Sequence, residues 1–506
     1  MTFEQLLQGA EILSRTGNPV VAGVQYDSRL IKPGDAFIAM RGESTDGNQF
    51  IDSAVSRGAV AVITDSATQA PRPGVAWAVV AHGRRTLGRI SANFYQRPAE
   101  RVAITGITGT NGKSTTAFLL ESILTAARRK SVLIGTIEYH VAGKILPAPH
   151  TTPESLEINR LLADGLGEGA TEAVMEVSSH ALVQQRVFTI PFDVAVFTNL
   201  TRDHLDYHSG MDDYFTAKRK LFAGCGTEPP RAVAVNVDDE FGRKLLSFSQ
   251  KRSSLLIPYG LETGELHAAN LQISSSGTRF DLILSGDTLP VFSPLIGKVN
   301  VYNILGAAAA AYARDCDHQS IMEGIKTLRR VPGRFEKVDC GQPFTVVVDY
   351  AHTDDALRNL TALARDYVDH ATLKSHVITL FGCGGDRDRA KRPLMGEAAG
   401  KGSDFIVLTS DNPRSEDPLA IMNDAMVGLQ RTGVKYVMEP DRRAAIAIAI
   451  REAAPGDIVL IAGKGHETVQ VTRTGSIPFS DVQEVRDALT AAGYSCNSNA
   501  ADGEQP

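Results

Sequence analysis

The chain has 506 residues, 43% apolar and 22% charged, an ordinary globular balance that excludes a disordered or fibrous protein. At roughly 150 residues per domain it should hold about three. Its 52 Lys and Arg against 58 Asp and Glu give a net charge of −6, which leaves no electrostatic case for nucleic acid as main partner, and no apolar run approaches the length of a membrane span.

The N-terminus, MTFEQLLQGAE, lacks the basic region and apolar core of a signal peptide, so a cytoplasmic location is expected. Residues 1–98 mix short apolar runs at 36–40, 60–64 and 76–80 with turn residues, as in a small α/β module. Arg97-Pro98-Ala99 marks a boundary, because proline disfavours helix in the residue before it. From Arg101 short β-rich runs recur at 102–105, 132–134, 173–177, 194–198 and 232–235. Between them lie helical patterns such as 115–127, where Phe118, Leu119, Ser122, Ile123 and Ala126 keep an i, i+3/i+4 stripe. Such alternation argues for a mainly parallel sheet covered by helices.

A second boundary falls at Val331-Pro332-Gly333-Arg334. Beyond it the alternation restarts, with strands expected at 345–348, 377–381, 405–409, 436–438 and 458–462 and a helix at 442–452. Here the strand ends carry chemistry: Asp349 and His352, then Gly382 to Arg387, then Asp411-Asn412-Pro413-Arg414, then Gly463-Lys464-Gly465-His466-Glu467. Ligands of open α/β sheets bind outside the carboxyl ends of strands, so four polar clusters there point to a site. The five cysteines (Cys225, Cys316, Cys340, Cys383, Cys496) are scattered, with no CxxC pair, and all five are expected to be reduced thiols. Residues 496–506 read as a polar, frayed tail.

The strongest local signal is GITGTNGKST, residues 106–115. An apolar strand runs into a glycine-rich turn and Gly112-Lys113-Ser114 opens a helix. Backbone N–H groups and the helix N-terminus favour phosphate there. Lys113 can reach the outer phosphates and the Ser114 hydroxyl can ligate Mg²⁺. The strict loop pattern wants glycine where Ile107 stands, so this is a variant loop. Glu176 and His204 follow apolar strands, in EVSSHAL and NLTRDHLDYH. Taken singly such groups merely cap strands by mutual hydrogen bonding; beside a phosphate loop, Glu176 is a hard oxygen ligand suited to Mg²⁺. His204 adds a nitrogen, which zinc would take more readily.

GITGTNGKST, EVSSHAL, NLTRDHLDYH, NVYN at 300–303, PGRFE at 332–336 and DYAHT at 349–353 occur in the order found in the Mur ligases, the ATP-dependent amide-forming enzymes of peptidoglycan precursor synthesis, and the chain resembles that family over nearly its whole length. YDSR at 26–29, Pro33-Gly34-Asp35 and Asp46-Gly47 resemble the uridine-nucleotide module of its diaminopimelate-adding branch. The resemblance implies three α/β domains: residues 1–98 holding the UDP end of the substrate, a central P-loop ATPase at 99–332, and a Rossmann-like domain at 333–495 bringing the amino acid. It implies ATP and Mg²⁺ as cofactors and addition of meso-2,6-diaminopimelate to UDP-N-acetylmuramoyl-L-alanyl-D-glutamate through an acyl phosphate, by a monomer.

Residue by residue, the resemblance places Ser28 at the uridine portion and Thr151, Thr152, Ser178, Gln184 and Arg186 on the muramoyl peptide. Gly109, Thr110, Asn111, Gly112, Lys113, Ser114 and Thr115 would bind ATP phosphates, Asn303 and Arg334 the nucleotide, and Asp349 the ribose region. Ser114, Glu176, His204 and Lys218 would hold magnesium, the last as its carbamate. Lys113, Lys218 and His204 are the catalytic candidates. Taken alone, Lys218-Arg219-Lys220 reads as a solvated basic face. The Asp411-Asn412-Pro413-Arg414 tetrad matches the branch that takes diaminopimelate rather than lysine. The two differ by one distal carboxylate, which Arg414 can engage bidentately with Arg387 clamping a carboxylate of the same ligand. Glu467 would pair with the distal ammonium, with Gly463 lending backbone. Lysine would leave Arg414 unpaired, and a site built for a polar group rejects analogues lacking it by roughly 10⁴.

The chain departs from the family at His352-Thr353-Asp354, where the third residue is usually proline; a relaxed loop and an added carboxylate near the nucleotide are expected. A folylpolyglutamate-synthase-like ligase would share the ATPase core but needs no uridine module. A nucleotide-driven switch would leave Arg387, Arg414 and Glu467 superfluous.

Overall fold

The computed structural model describes residues 1–43, 45–261, 263–274, 276–369 and 375–496. Five strands form the first sheet: β1 (Ile12–Thr16), β2 (Gly23–Gln25), β3 (Asp35–Ala39), β4 (Ala61–Thr64) and β5 (Ala76–Val80). Their order is β1-β5-β4-β3-β2, parallel except for β1. β3 and β4 are buried at every position, which is why they read as unbroken apolar runs. A helix, Gly83–Phe94, follows the sheet. Gln96 and Arg97 take left-handed backbone, φ 61° and 54°, and Pro98 opens a short 3-10 turn, Pro98–Glu100. The restriction on the pre-proline residue is met outside the helical region.

The central sheet contains β6 (Ala103–Thr108), β7 (Ser131–Ile134), β8 (Glu138–Val141), β9 (Lys144–Pro147), β10 (Glu172–Glu176), β11 (Phe192–Phe197), β12 (Ala232–Asn236), β13 (Leu255–Gly260), β14 (Leu266–Ser274), β15 (Gly277–Leu284) and β16 (Asp287–Ser293). The order is β16-β15-β14-β13-β12-β11-β6-β10-β7-β8-β9. β6, which feeds the phosphate loop, is flanked by β10 and β11, both parallel to it, so three strand ends open on one spot. The helix Lys113–Ala126 buries Leu119, Leu120 and Ile123 against a core shared with the helix Lys298–Ala313, whose alanines 307 to 311 are fully buried. Small side chains there let the two helices approach closely.

The third sheet has β17 (Glu336–Val338), β18 (Thr345–Asp349), β19 (Val377–Cys383), β20 (Phe405–Ser410), β21 (Lys435–Glu439) and β22 (Ile458–Ala462), in the order β17-β18-β22-β19-β20-β21, parallel except for β17. Asp349 lies opposite Ala462, and Cys383 opposite Ser410. The four polar clusters read from the sequence therefore meet at one sheet edge. A hairpin of β23 (Val469–Thr472) and β24 (Gly475–Pro478) lies beside them.

One expectation is overturned. Cys340 and Cys496 form a disulfide spanning 156 residues, leaving Cys225, Cys316 and Cys383 as the free thiols. The turn after β17 and the end of the last helix, Asp481–Ala491, pack on the same face, where Phe344 meets Tyr494 edge-on at 5.9 Å. Linear spacing carries no trace of that proximity. Cys496 is thus anchored, and the rest of the expected frayed tail, 497–506, lies outside the described residues. Among the described residues no helix is long and apolar enough to cross a membrane.

Candidate active site

The phosphate loop is locked to the turn that follows β11. Thr110 N donates to Asn199 O (2.9 Å), Asn111 N to Asn199 Oδ1 (2.9 Å), and the Thr198 hydroxyl to Asn111 O (2.6 Å). Gly112 sits at φ 86°, and a Cβ there would run into Asn303 Oδ1, so the loop and the helix Lys298–Ala313 approach as closely as glycine permits. Lys113 Nζ donates to Gly109 O (3.0 Å) and Thr110 O (2.9 Å). Lys218 Nζ donates to the same Gly109 O at 2.7 Å.

Two ammonium groups converging on one carbonyl is an unusual concentration of charge. Lys218 is only 2% exposed and lies 4.5 Å from the centre of the Tyr214 ring, so it is no part of a solvated basic face. Burial first, and Lys113 second, push its ammonium well below the ordinary lysine range, against the opposing pull of Asp203. Burial lowers Lys113 too, partly offset by Glu176. His204 has left-handed backbone, φ 55°, with Nε2 3.4 Å from Asp203 Oδ2. Burial drives its imidazole far down, so the ring is neutral; Asp203 opposes the shift and His180, Lys218 and Lys113 add to it. Left-handed non-glycine residues are costly and cluster at functional sites; Asp386 (φ 51°) and Arg414 (φ 52°) are two more at this one.

Glu176 is fully buried. Thr136 donates to both its oxygens, from N at 2.8 Å and from the hydroxyl at 2.9 Å. Around it the structure gathers Thr151, Thr152, Ser178, Gln184 and Arg186. The Thr136 hydroxyl meets Thr151 Oγ1 (3.1 Å), the Thr152 hydroxyl donates to Glu176 O (2.8 Å), and Ser178 N to Thr152 Oγ1 (3.1 Å). Arg186 donates to Thr152 O and to Gln184 Oε1, each at 2.9 Å. Ser28 stands apart, buried in a turn of the first domain, Ser28–Leu30. Its neighbour Tyr26 reaches Glu157 (3.2 Å), and Arg84 grips Glu154 at 2.9 and 3.0 Å, joining first and central domains.

A cleft between the central and C-terminal domains is lined by Asn111, Gly112, Ser114, Thr115, Asn303, Arg334 and Asp349, with Tyr350 and His352. Arg334 spans it: its guanidinium lies over the Tyr350 ring at 4.7 Å and approaches Ser114 Oγ at 3.4 Å. Asp349 accepts from Phe335 N (2.7 Å) and Ala351 N (2.8 Å), and burial raises its carboxyl against the pull of Arg334.

The loop at His352-Thr353-Asp354 is not relaxed. Thr353 caps the helix Asp354–Asp369 by accepting from Ala356 N (3.1 Å), and Asp354, paired with Arg358 (3.2 Å), takes the first helical position. Proline and acidic residues both suit that position, the one by fixed φ and the other by the helix dipole. It is Asp355 rather than Asp354 that reaches the phosphate loop, accepting from Asn111 Nδ2 at 3.0 Å.

In the C-terminal domain the tetrad wraps under Glu467. Asn412 Nδ2 donates to Glu467 Oε2 at 2.8 Å, and Gly463, φ 122°, leaves Asp411 room that a Cβ would take. Pro413 is buried beside them. Arg414 Nη1 donates to Gly385 O (2.7 Å) and Arg387 Nη1 to Asp386 O (3.1 Å). Among the described residues neither guanidinium has a carboxylate within ion-pair distance. Burial, then Arg387, lowers the Arg414 guanidinium. Sequence reasoning missed several groups here. Lys464 and the Arg442–Asp481 pair are fully buried, and Arg442 donates to the Ser410 and Ala462 carbonyls at the ends of β20 and β22. Lys464 stood inside a polar cluster that was read; nothing in the helix sequence at 442–452 marked its first arginine as buried.

Three family descriptions match in sequence: "Mur ligase family, catalytic domain" at 20–95, "Mur ligase middle domain" at 107–311, and "Mur ligase, glutamate ligase domain" at 333–465. The chain belongs to the Mur ligase family. Curated Mur ligases named UDP-N-acetylmuramoyl-L-alanyl-D-glutamate–2,6-diaminopimelate ligase are 53% identical in Solibacter usitatus, over 94% of both chains, and 43% identical in Geobacter metallireducens, over 93% of this chain and 94% of that protein. A solved structure of a ligase of that name is 32% identical, covers 98% of this chain and 100% of its own, and superposes with a TM-score of 0.67. Folylpolyglutamate synthase from Mycobacterium tuberculosis, 19% identical, TM-score 0.60 over 75% of this Mur ligase and 92% of the synthase, shares the fold alone.

Proposed function

We propose that this Mur ligase adds meso-2,6-diaminopimelate to UDP-N-acetylmuramoyl-L-alanyl-D-glutamate, consuming ATP and releasing ADP and phosphate, in peptidoglycan precursor synthesis. The observation that carries the reading is convergence at the seam between central and C-terminal domains. The phosphate loop lines the cleft with Arg334 and Asp349, Lys113 and Lys218 meet on Gly109 O, and Glu176 at the heart of the Thr151–Arg186 cluster acts on Lys113. Asp203 reaches His352 (3.8 Å) and Lys391 (3.7 Å) of the C-terminal domain, whose Arg387, Arg414 and Glu467 lie on the turns after β19, β20 and β22. The working units are residues 1–98, 99–332 and 333–495.

A carboxylate is a poor electrophile at neutral pH. Its oxygen attacks the γ-phosphorus of ATP, the bond to the bridging oxygen breaks, and ADP leaves. The amine of diaminopimelate then attacks the acyl carbon, loses a proton, and phosphate departs with the electron pair of the broken C–O bond. Gly109 to Thr115 hold the phosphates, Asn303 and Arg334 the nucleotide, and Asp349 the ribose side. Lys113, on the loop itself, offsets the repulsion between carboxylate and phosphate as they meet. Ser28 contacts the uridine portion, and Thr151, Thr152, Ser178, Gln184 and Arg186 position the peptide so that its carboxylate faces the loop.

Among the described residues no three His, Cys, Asp or Glu groups stand together to enclose a metal ion. The oxygens of Glu176 and Ser114, with His204 near Lys113, suit an ion that completes its shell with phosphate oxygens, as Mg²⁺ does. Ser114, Glu176, His204 and carbamylated Lys218 would hold Mg²⁺, which when bound neutralises phosphate charge. The lowered ammonium of Lys218 is what carbamate formation needs, since the neutral amine attacks CO₂ and releases a proton.

The test is phosphate release with ATP, Mg²⁺ and the UDP-dipeptide, in the presence of meso-diaminopimelate, L-lysine or neither, with the nucleotide product weighed. Release and a tripeptide product with diaminopimelate alone are expected. Product with lysine alone would leave a ligase and remove the role given to Arg414. Hydrolysis indifferent to every amine would leave a nucleotide-driven switch.

A further inference from the structure

We infer that Lys464 is a positioning residue that sets the preference for a diamino acid, by fixing one oxygen of Glu467 and leaving the other for the substrate's distal ammonium. The inference rests on the proposed function and on the pairing of Glu467 with the distal ammonium that the family resemblance implies. Lys464 is fully buried, on the turn after β22, three residues before Glu467. Its ammonium donates to Glu467 Oε2 at 2.8 Å and to Asn412 Oδ1 at 3.0 Å, and lies 4.0 Å from Asp411 Oδ1. Asn412 closes the ring: Nδ2 donates to the same Glu467 Oε2 (2.8 Å), while Oδ1 also accepts from Val471 N (2.9 Å).

The geometry is asymmetric in a useful way. Oε2 of Glu467 takes two charge-assisted or amide hydrogen bonds from groups that are themselves held by the fold, so the carboxylate plane has one setting. Its other oxygen accepts no hydrogen bond among the described residues, which leaves it for the ligand. Lys464 is also the cation within 4.0 Å of both Asp411 and Glu467, with Arg442 and Arg414 acting on the same two carboxylates. A lysine used this way does not touch substrate. It makes Glu467 a rigid acceptor, which is the condition for discriminating by charge at a distance from the reacting amine.

Two amine substrates separate this role from mere structural support. Both meso-diaminopimelate and 2-aminopimelate carry the attacking amine and the distal carboxylate; only the first has the distal ammonium. The full-length enzyme and its Lys464→Met and Glu467→Gln variants are assayed with each, kcat and KM being measured separately, and circular dichroism and melting checked in parallel. We expect Lys464→Met to lower the preference for diaminopimelate over 2-aminopimelate about tenfold, through KM for diaminopimelate, with KM for ATP unchanged. If Glu467→Gln collapses the preference and Lys464→Met, folded, does not, the inference is wrong and the role of Glu467 survives. If Glu467→Gln leaves the preference intact, the role of Glu467 itself is wrong. Should Lys464→Met fail to fold, Lys464→Gln is used in its place. It retains one donor, so the expected preference lies between wild type and Glu467→Gln, and an unchanged preference counts against the inference.

Discussion

A half-buried guanidinium without a carboxylate partner is a debt that a ligand can settle, and Arg414 is in that position, held to main-chain carbonyls with Arg387 beside it. Arg414→Ala should lower kcat/KM for meso-diaminopimelate by about 100-fold, the loss of a bidentate charge-assisted contact, and leave any turnover of lysine within a few-fold. Initial rates with the two amines check it, and an equal fall for both would separate Arg414 from the distal carboxylate. How far single residues could be read from the sequence depends on whether their environment is local. Gly112, Lys113 and Ser114 announce themselves because loop and helix are contiguous. Lys218 does not: only the fold converts one of three adjacent basic residues into a 2%-exposed amine beside Lys113. Lys464 and Arg442 escaped for the same reason, since burial of a charge is set by distant partners such as Asn412 and Asp481.

At the scale of elements, β8 is pinned to the phosphate-loop helix by His140. Its Nδ1 lies 2.6 Å from Glu121 and its Nε2 2.9 Å from Glu138. Burial alone would lower the imidazole, but the two carboxylates outweigh it and raise it to about 9. A pKa raised above the unfolded value of about 6.5 gives stability that is fully present below that pH and lost as pH rises through about 9. The contribution is of order 3 kcal/mol at most. Melting temperature should therefore fall between pH 6.5 and 9 more steeply in the wild type than in His140→Gln, and parallel curves would contradict the account. The disulfide gives a second element-scale outcome. Thiol titration of the unreduced, denatured protein should find Cys225, Cys316 and Cys383 and no more; reaction at Cys340 and Cys496 would contradict the pairing. Strands buried on both faces, such as β4, β10 and β22, were legible as apolar runs almost to the residue. β14 to β16 were not, because their faces alternate between core and solvent, and an antiparallel wing carries no continuous apolar signal.

In the proposed function the whole molecule brings a phosphate loop and an amino-acid site together across a seam, and the seam is thinly made. Among the described residues, Asn111 to Asp355, Arg334 to Ser114, Arg202 to Asp388 (3.3 Å), and Asp203 to His352 and Lys391 are polar links across it. Interfaces of this kind permit relative domain motion, so closure can be coupled to nucleotide. Asp355→Ala should raise KM for ATP several-fold with little change in kcat at saturation, which initial rates against ATP would show; an unchanged KM would mean that this contact does not help to hold the phosphate loop for ATP. The three α/β domains were legible from alternation, but the seam was not, since it joins residues 244 positions apart in the case of Asn111 and Asp355. The central claim is that the substrate carboxylate is phosphorylated before the amine attacks. The direct measurement uses UDP-dipeptide labelled with ¹⁸O in its terminal carboxylate, together with ATP and meso-diaminopimelate. Phosphate carrying one labelled oxygen for each tripeptide formed is the expected result; tripeptide formed with unlabelled phosphate would contradict it.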